Sequence, residues 1–175
     1  LGRAGDRTRA GIASERLAEL DALTGDLDEG RRQAMSACNR LRGPDARRAA
    51  VGLASVQLLR GELRPAEAGL REVLGAPDTD ELTVWRASAT LAGVLGPQGR
   101  FSEARERLDA LLPVARIQAP GAVFAGLLLA AADLDLQLFR VGQARERLAQ
   151  VQDALHGGAP PLLDALIALL ASRLA

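Results

Sequence analysis

This 175-residue sequence holds one cysteine, Cys38, and one histidine, His156, the two residue types that together could make a thiol nucleophile or contribute to a zinc site. A hydrogen-bonded Cys–His pair activates a thiol, whereas a single Cys and a single His cannot complete the usual zinc site. Cys38 falls in a helical pattern and His156 in the Gly-rich link His156-Gly157-Gly158-Ala159-Pro160. The two are expected to lie far apart, with Cys38 a small buried residue. Gly93, Gly96 and Gly99 imitate a phosphate loop, but no Lys-Ser/Thr closes the run and no strand precedes it. A helix end followed by a turn is the better reading. Asp133 and Asp135 interrupt an apolar stretch, Leu127 to Leu138. They are read as structural or exposed positions, or as contacts for a cationic partner. The arginines Arg31, Arg32, Arg40, Arg42, Arg47 and Arg48 are diluted by Glu29 and Asp45, and no aromatics interleave with them for base stacking. A solvated surface is expected. No pattern argues for catalysis, and no cofactor or metal is implied.

The elements that would position such residues come from an internal repeat. Ala104-Arg105-Glu106-Arg107-Leu108 recurs letter for letter as Ala144-Arg145-Glu146-Arg147-Leu148. The same small position falls at Gly30 and Ala66, giving spacings of 36, 38 and 40 residues along Gly30, Ala66, Ala104 and Ala144. Five residues earlier stand Gly25, Gly61 and Gly99, with Phe139 where a fourth glycine would be. Twelve residues before each small position stands a second one: Ala18, Ala54, Ala92 and Ala132. Small residues at fixed places on two helices let their backbones approach. Ala92 and Ala104 are accordingly expected to be buried and to face each other.

Each unit reads as two helices, with no alternating β pattern anywhere. The first helices are expected near residues 7–23, 45–60, 80–95 and 122–139. The second are expected near 27–41, 65–74, 102–116 and 142–155, with a ninth helix at 161–174. Asp45 and Ser102 are N-cap types, and Pro65 and Pro161 suit a first turn. Pro113 should kink or end the sixth helix. Glu103–Arg107 and Arg105–Asp109 are i,i+4 pairs expected on a solvated helix face.

Hydrophobic residues make up 48% of the chain, with three Phe, one Trp and no Tyr, so aliphatic and small side chains must fill the core. The 22 basic residues, all Arg, balance 22 acidic ones, which argues against general nucleic-acid binding. One cysteine permits no internal disulfide. The longest apolar run, Gly121 to Ala132, falls short of the roughly 20 residues of a membrane span. The chain begins at Leu1, not Met, which reads as an excerpt or processed form of a longer chain, with no secretory signal in its present N-terminus; a cytoplasmic location is expected.

The combination resembles the tetratricopeptide-repeat superfamily. The matching positions are Leu91, Ala92, Leu95, Gly99, Phe101, Ala104 and Leu108, and in the second unit Leu53, Ala54, Gly61, Leu63, Ala66 and Leu70. The usual Trp and Tyr positions hold aliphatic or small residues. A longer-unit branch fits better, similar to the helical sensor regions of large bacterial transcriptional regulators. The resemblance implies an all-α, right-handed α-α superhelix over residues 1–175. Its units would be 7–42, 45–75, 80–116 and 122–156, with a terminal helix at 161–174. It also implies a non-catalytic module that binds a protein or peptide segment, neither nucleic acid nor membrane, on a concave face lined by first helices. Carried over by position, that face comprises Glu15 and Glu19, then Arg48, Val51, Ser55 and Leu58. It continues with Arg86, Ala89 and Gly93, then Leu129, Asp133, Leu136 and Gln137. The alternative is a small-molecule sensor with a pocket between helices. The terminal helix is apolar on more than one face, so that surface is expected to be buried in a fuller assembly, either by a next unit of a longer chain or by self-association. Self-association through Leu166 and Leu170 is the expectation.

Overall fold

The computed structural model describes residues 9–14, 17, 18, 21, 24–155 and 161–174 of the chain, without the side chains of 161 and 162. Among the described residues the regular structure is helical and no strand occurs. Residues 9–14 are helical, as are 17, 18, 21 and 24. Eight helices with defined ends follow. They are α1 (Leu27–Arg40), α2 (Gly43–Leu59), α3 (Leu63–Gly75) and α4 (Glu81–Leu95), then α5 (Phe101–Gln118), α6 (Gly121–Gln137), α7 (Val141–Ala154) and α8 (Pro161–Ser172). These bounds fall within two residues of most expected ones. Contacts gather into two compact units, Leu1–Ala87 and Ser88–Ala175.

In the first unit α1 packs on α2, and α2 on α3. Ala37, Leu41 and Ala49 form an apolar cluster at the α1–α2 junction, with Cys38 and Ala46 against it. Cys38 is thus half-buried at the edge of a core. Gly11 is placed so closely that a Cβ there would stand 2.6 Å from Leu41 Cδ2.

In the second unit α6 is the central element, packed on α5, α7 and α8. Its sequence is apolar around most of its circumference, as suits a helix with neighbours on several sides. Ala125, Leu128, Leu129 and Ala132 of α6, Val151 of α7 and Leu170 of α8 make the cluster. Leu166 and Ile167 of α8 and Leu112 of α5 pack against it. A Cβ on Gly121, the first residue of α6, would meet the Ala154 carbonyl oxygen at 2.4 Å.

The turns explain the recurring small residues. Gly25, Gly61, Gly99 and Phe139 all have positive φ, at 88°, 74°, 75° and 58°. The next residue is the N-cap of the following helix in all four turns, with closely similar torsions: Asp26 at −81°, 69°, Glu62 at −79°, 61°, Arg100 at −88°, 51° and Arg140 at −92°, 60°. Three turns share two further hydrogen bonds. Gly61, Gly99 and Phe139 donate to the carbonyls of Leu58, Gly96 and Leu136, at 3.0, 2.8 and 3.0 Å. Glu62, Arg100 and Arg140 donate to those of Gln57, Leu95 and Asp135, at 2.8, 3.0 and 2.8 Å. This is the Schellman pattern, in which a left-handed residue closes the helix and satisfies its last carbonyls. The small residues Gly30, Ala66, Ala104 and Ala144 then start the next helical ladder by donating to Asp26, Glu62, Arg100 and Arg140, and all four are buried. Ala18, Ala54, Ala92 and Ala132 are buried too.

Two local expectations, for Ser102 and Asp45, are corrected. Ser102 is not a cap, because the Schellman turn already makes Arg100 the N-cap and α5 starts at Phe101. Asp45 sits inside the first turn of α2, whose entry is made by Gly43 and Pro44, and it pairs with Arg48. Side-chain capping comes instead from Asp26, which accepts from the Glu29 N–H at 3.1 Å, and from Asp80, which accepts from the Thr83 N–H at 3.0 Å. Pro113 does not end its helix: α5 continues to Gln118.

Phe139 adopts the glycine conformation with its side chain 93% exposed. A left-handed L-residue costs about 1–2 kcal/mol, and here no packing offsets that cost. Phe139→Gly is therefore expected to raise stability by about 1 kcal/mol, whereas Gly99→Ala lowers it by a similar amount. Urea melts of both variants check this, and a Phe139→Gly protein less stable than its parent would refute the strain argument.

Candidate functional site

The expected face can be followed helix by helix. Glu15 and Glu19 lie outside the described residues. On α2, Arg48, Val51, Ser55 and Leu58 recur at the three-four spacing that places them on one stripe. Arg48 is half-buried and paired with Asp45. Val51 is buried, so it offers no surface to a partner. The Ser55 hydroxyl donates to the Val51 carbonyl at 3.1 Å. Leu58 is half-buried. On α4, Arg86, Ala89 and Gly93 are all half-buried.

On α6 the expected residues meet their own chain. Leu129 is buried in the cluster that α8 completes, and Leu136 packs against the same cluster. Gln137 Nε2 donates to Asp133 Oδ2 at 2.6 Å. Arg173, just past α8, pairs with the other oxygen of Asp133. The Gln137 amide also lies over Gly96, where a Cβ would stand 2.6 Å from Gln137 Oε1. Asp133 thus has a cationic partner 40 residues away in its own chain.

Leu166 and Leu170 require a correction. Leu170 is only 5% exposed and lies in the core cluster, with Leu166 packed against it. They point into the unit, so they cannot be the outer surface of α8. Among the described side chains of that helix, the exposed large apolar one is Leu169, at 56%.

Asp135 is the functional-looking residue whose surroundings were not foreseen. It is 1% exposed. Arg147 of α7 donates from Nε to Asp135 Oδ2 at 2.7 Å, and Arg105 Nη2 of α5 stands 3.6 Å from Oδ1. Arg105 also approaches Asp109 at 3.4 Å, and Arg147 approaches it at 3.9 Å. Two acids and two arginines from three helices thus form one network. The Arg105–Asp109 pair belongs to that network rather than to an isolated solvated face. The identical pentapeptides supply it through different arginines, the second residue of one copy and the fourth of the other.

Five arginines of the first unit's cluster, Arg31, Arg32, Arg42, Arg47 and Arg48, are likewise engaged internally. Arg31 lies 3.4 Å from Glu62, Arg32 pairs with Glu29 and Arg47 with Asp78. Arg42 donates to the Asn39 and Leu41 carbonyls at 2.9 and 2.7 Å. Among the described residues no group of three or more His, Cys, Asp or Glu is placed to hold a metal ion. His156 lies outside them. No helix among them is long and apolar enough to cross a membrane. A groove of about 330 Å³ opens between α7 and α8, lined by Arg145, Leu148, Ala149, Gln152, Ala171 and Leu174. Arg145, Ala149, Gln152 and Ala171 are exposed, so it is an open trench.

No protein-family model matches the chain, and no curated protein is similar to it.

Two outcomes follow from the electrostatics. Asp135→Ala leaves Arg105 and Arg147 without their buried acceptor and is expected to cost about 3 kcal/mol. A urea midpoint equal to the parent's would show that the network contributes nothing. The second outcome concerns pH. Hydrogen bonds from Gln33 and Arg32 hold the Glu29 carboxyl below its usual range, and the Arg47 hydrogen bond does the same for Asp78. Burial pushes Asp80 up, but the Thr83 hydroxyl and N–H, with the Arg48 charge, outweigh it and leave the value lowered. Folded values below unfolded ones mean stability that is fully present above pH about 4–5 and lost as pH falls through the lowered values. Urea melts at neutral pH and at pH about 3 should show this loss. Replacing the three acids by their amides should flatten the dependence, and an equally steep one would refute the assignment.

Proposed function

We propose that the chain is a non-catalytic helical-repeat scaffold of the tetratricopeptide-like kind that binds a peptide or protein segment. In this reading its helix pairs continue one another as a right-handed superhelix over the whole chain. The observation that carries it is the recurrence of one turn geometry at Gly25, Gly61, Gly99 and Phe139. The spacing of 36, 38 and 40 residues between turns suits helix–turn–helix units that stack on their neighbours. The resemblance to bacterial regulator sensor regions supports reading it as the interaction or sensor module of a larger, cytoplasmic regulatory protein.

The binding stripe is narrower than position alone suggests. Val51 and Leu129 are closed off. The half-buried residues Arg48, Ser55, Leu58, Arg86, Ala89 and Gly93 remain, with Asp133 and Gln137 tied to each other. Two arginines beside small and apolar side chains suit an extended or helical segment that carries acids and short apolar residues.

A displayed peptide library selected against the full chain tests this. Enriched peptides should be acidic and should bind at least about tenfold more weakly to Arg48→Glu and Arg86→Glu proteins. Failure to enrich any sequence, or binding indifferent to both substitutions in folded protein, would overturn the reading.

A further inference from the structure

We propose that the outer face of α5 is a self-association surface, which pairs antiparallel with α5 of a second copy of this chain. Ala110, Pro113, Val114 and Ile117 recur at three-four spacing and so share one stripe. All four are exposed, Val114 at 42% and Ile117 at 84%. The internal repeat shows that the fold does not require apolar side chains at these places. Ala110, Pro113 and Ile117 correspond to Glu72, Gly75 and Thr79 in the preceding repeat and to Gln150, Asp153 and Gly157 in the following one. Glu72, Gly75, Gln150 and Asp153 are exposed. Those repeats nevertheless have the same buried small residues, Ala66 and Ala144, and the same Schellman turns. α5 also lies inside the repeat, with helices before and after it. Its apolar stripe therefore serves a contact outside its own unit.

The stripe is complementary to itself. Ala110 and Ile117 are two turns apart, one small and one large. Asp109 and Arg116 are also two turns apart, on one flank of the stripe, one acidic and one basic. Both pairs have their midpoint beside Pro113. A two-fold axis crossing α5 there sets Ile117 of each copy over Ala110 of the other, a large side chain against a small one. It also sets Arg116 of each copy beside Asp109 of the other, while Pro113 and Val114 meet their own mates at the axis. Every contact occurs twice, as an isologous interface requires. The charged groups are open to such a partner. Arg116 is exposed, and the Asp109 side chain keeps 52% of its surface. Arg105 and Arg147 approach Asp109 only to 3.4 and 3.9 Å, longer than the usual hydrogen bond. An unrelated partner gives no reason for size and charge to reverse about the same point, whereas a second copy does.

Sedimentation equilibrium of the full chain from about 1 to 300 μM, the span in which weak association appears, tests the proposal. The parent should dimerise, and Ile117→Arg and Arg116→Glu should each weaken the dimer at least about tenfold. Circular dichroism reports whether either variant has lost its helices. Cross-linking tests the register in a chain whose Cys38 is replaced by Ser. Val114→Cys places two thiols at the axis and should give a disulfide-linked dimer on mild oxidation. Glu106→Cys, about 22 Å from its mate in this register, should not. A parent that stays monomeric throughout overturns the proposal and leaves the face to a different protein. So does a dimer insensitive to both charge substitutions, or one that cross-links equally from positions 106 and 114, because either places the contact elsewhere. Peptide selection on the Arg48 and Arg86 stripe is read independently, so the two readings stand or fall separately.

Discussion

A left-handed residue stands between the two helices at each of four turns, and the arrangement of each helix pair depends on it. A helix cannot simply stop, because its last carbonyls need donors. A residue at positive φ turns the chain so that its own N–H and the next one supply two of them. The residue that makes the second bond is also the N-cap of the following helix. Termination of one helix and initiation of the next are therefore one event, with no slack in between. Five residues from the turn the chain must come close to its predecessor, and Gly30, Ala66, Ala104 and Ala144 are buried there. Gly and Ala at these two places are consequences of one geometry. Phe139 shows that the constraint lies in the backbone rather than in side-chain space, since a ring is accommodated in open solvent while φ stays positive.

Around that backbone, the second unit is held by a polar interaction inside an apolar helix. Asp135 is placed on α6, whose neighbours are aliphatic. An unpaired carboxylate there would be costly to bury. Arg147 and Arg105 remove the cost from opposite sides, one from each flanking helix. A charge with partners on two helices also discriminates among packings, because sliding either helix by one turn of about 5.4 Å would leave it unpaired. Aliphatic side chains of similar volume, which dominate this core, make no such distinction. The network therefore fixes the register of α5, α6 and α7 relative to one another.

Much of the fold was legible in the sequence, and the physical reason is that it rests on local rules. Turn glycines, small positions at constant offsets and helix periodicity all act within a few residues. The site was less legible. Asp135 and Arg147 are 12 residues apart, and Asp133 and Arg173 are 40 apart, so no periodicity announces either pair. The signal for Asp135 was its setting, an acid within an apolar helix, but that signal does not name a partner. Two arginines were available in each copy of the pentapeptide, and only packing selects Arg105 from one and Arg147 from the other. Ser102 illustrates a different limit. Its side chain is a good cap in isolation, yet the preceding turn had already begun the helix.

The terminal helix shows most plainly why periodicity can fail. In α8 nearly every turn is apolar on all sides, so the sequence does not say which side faces the core. Leu166 and Leu170 are four residues apart and share the inner side, while Leu169 shares the outer side with alanines. The choice between the two sides is made by volume. The space beside Leu129, Leu136 and Val151 accepts large aliphatic side chains, and leucine or isoleucine at 163, 166, 167 and 170 fills it. The alanines are left outside, where burial would gain little. A helix whose outer side is small rather than polar is poorly matched to water but well matched to another helix. The inner side stabilises the unit, and the outer side adds little to it.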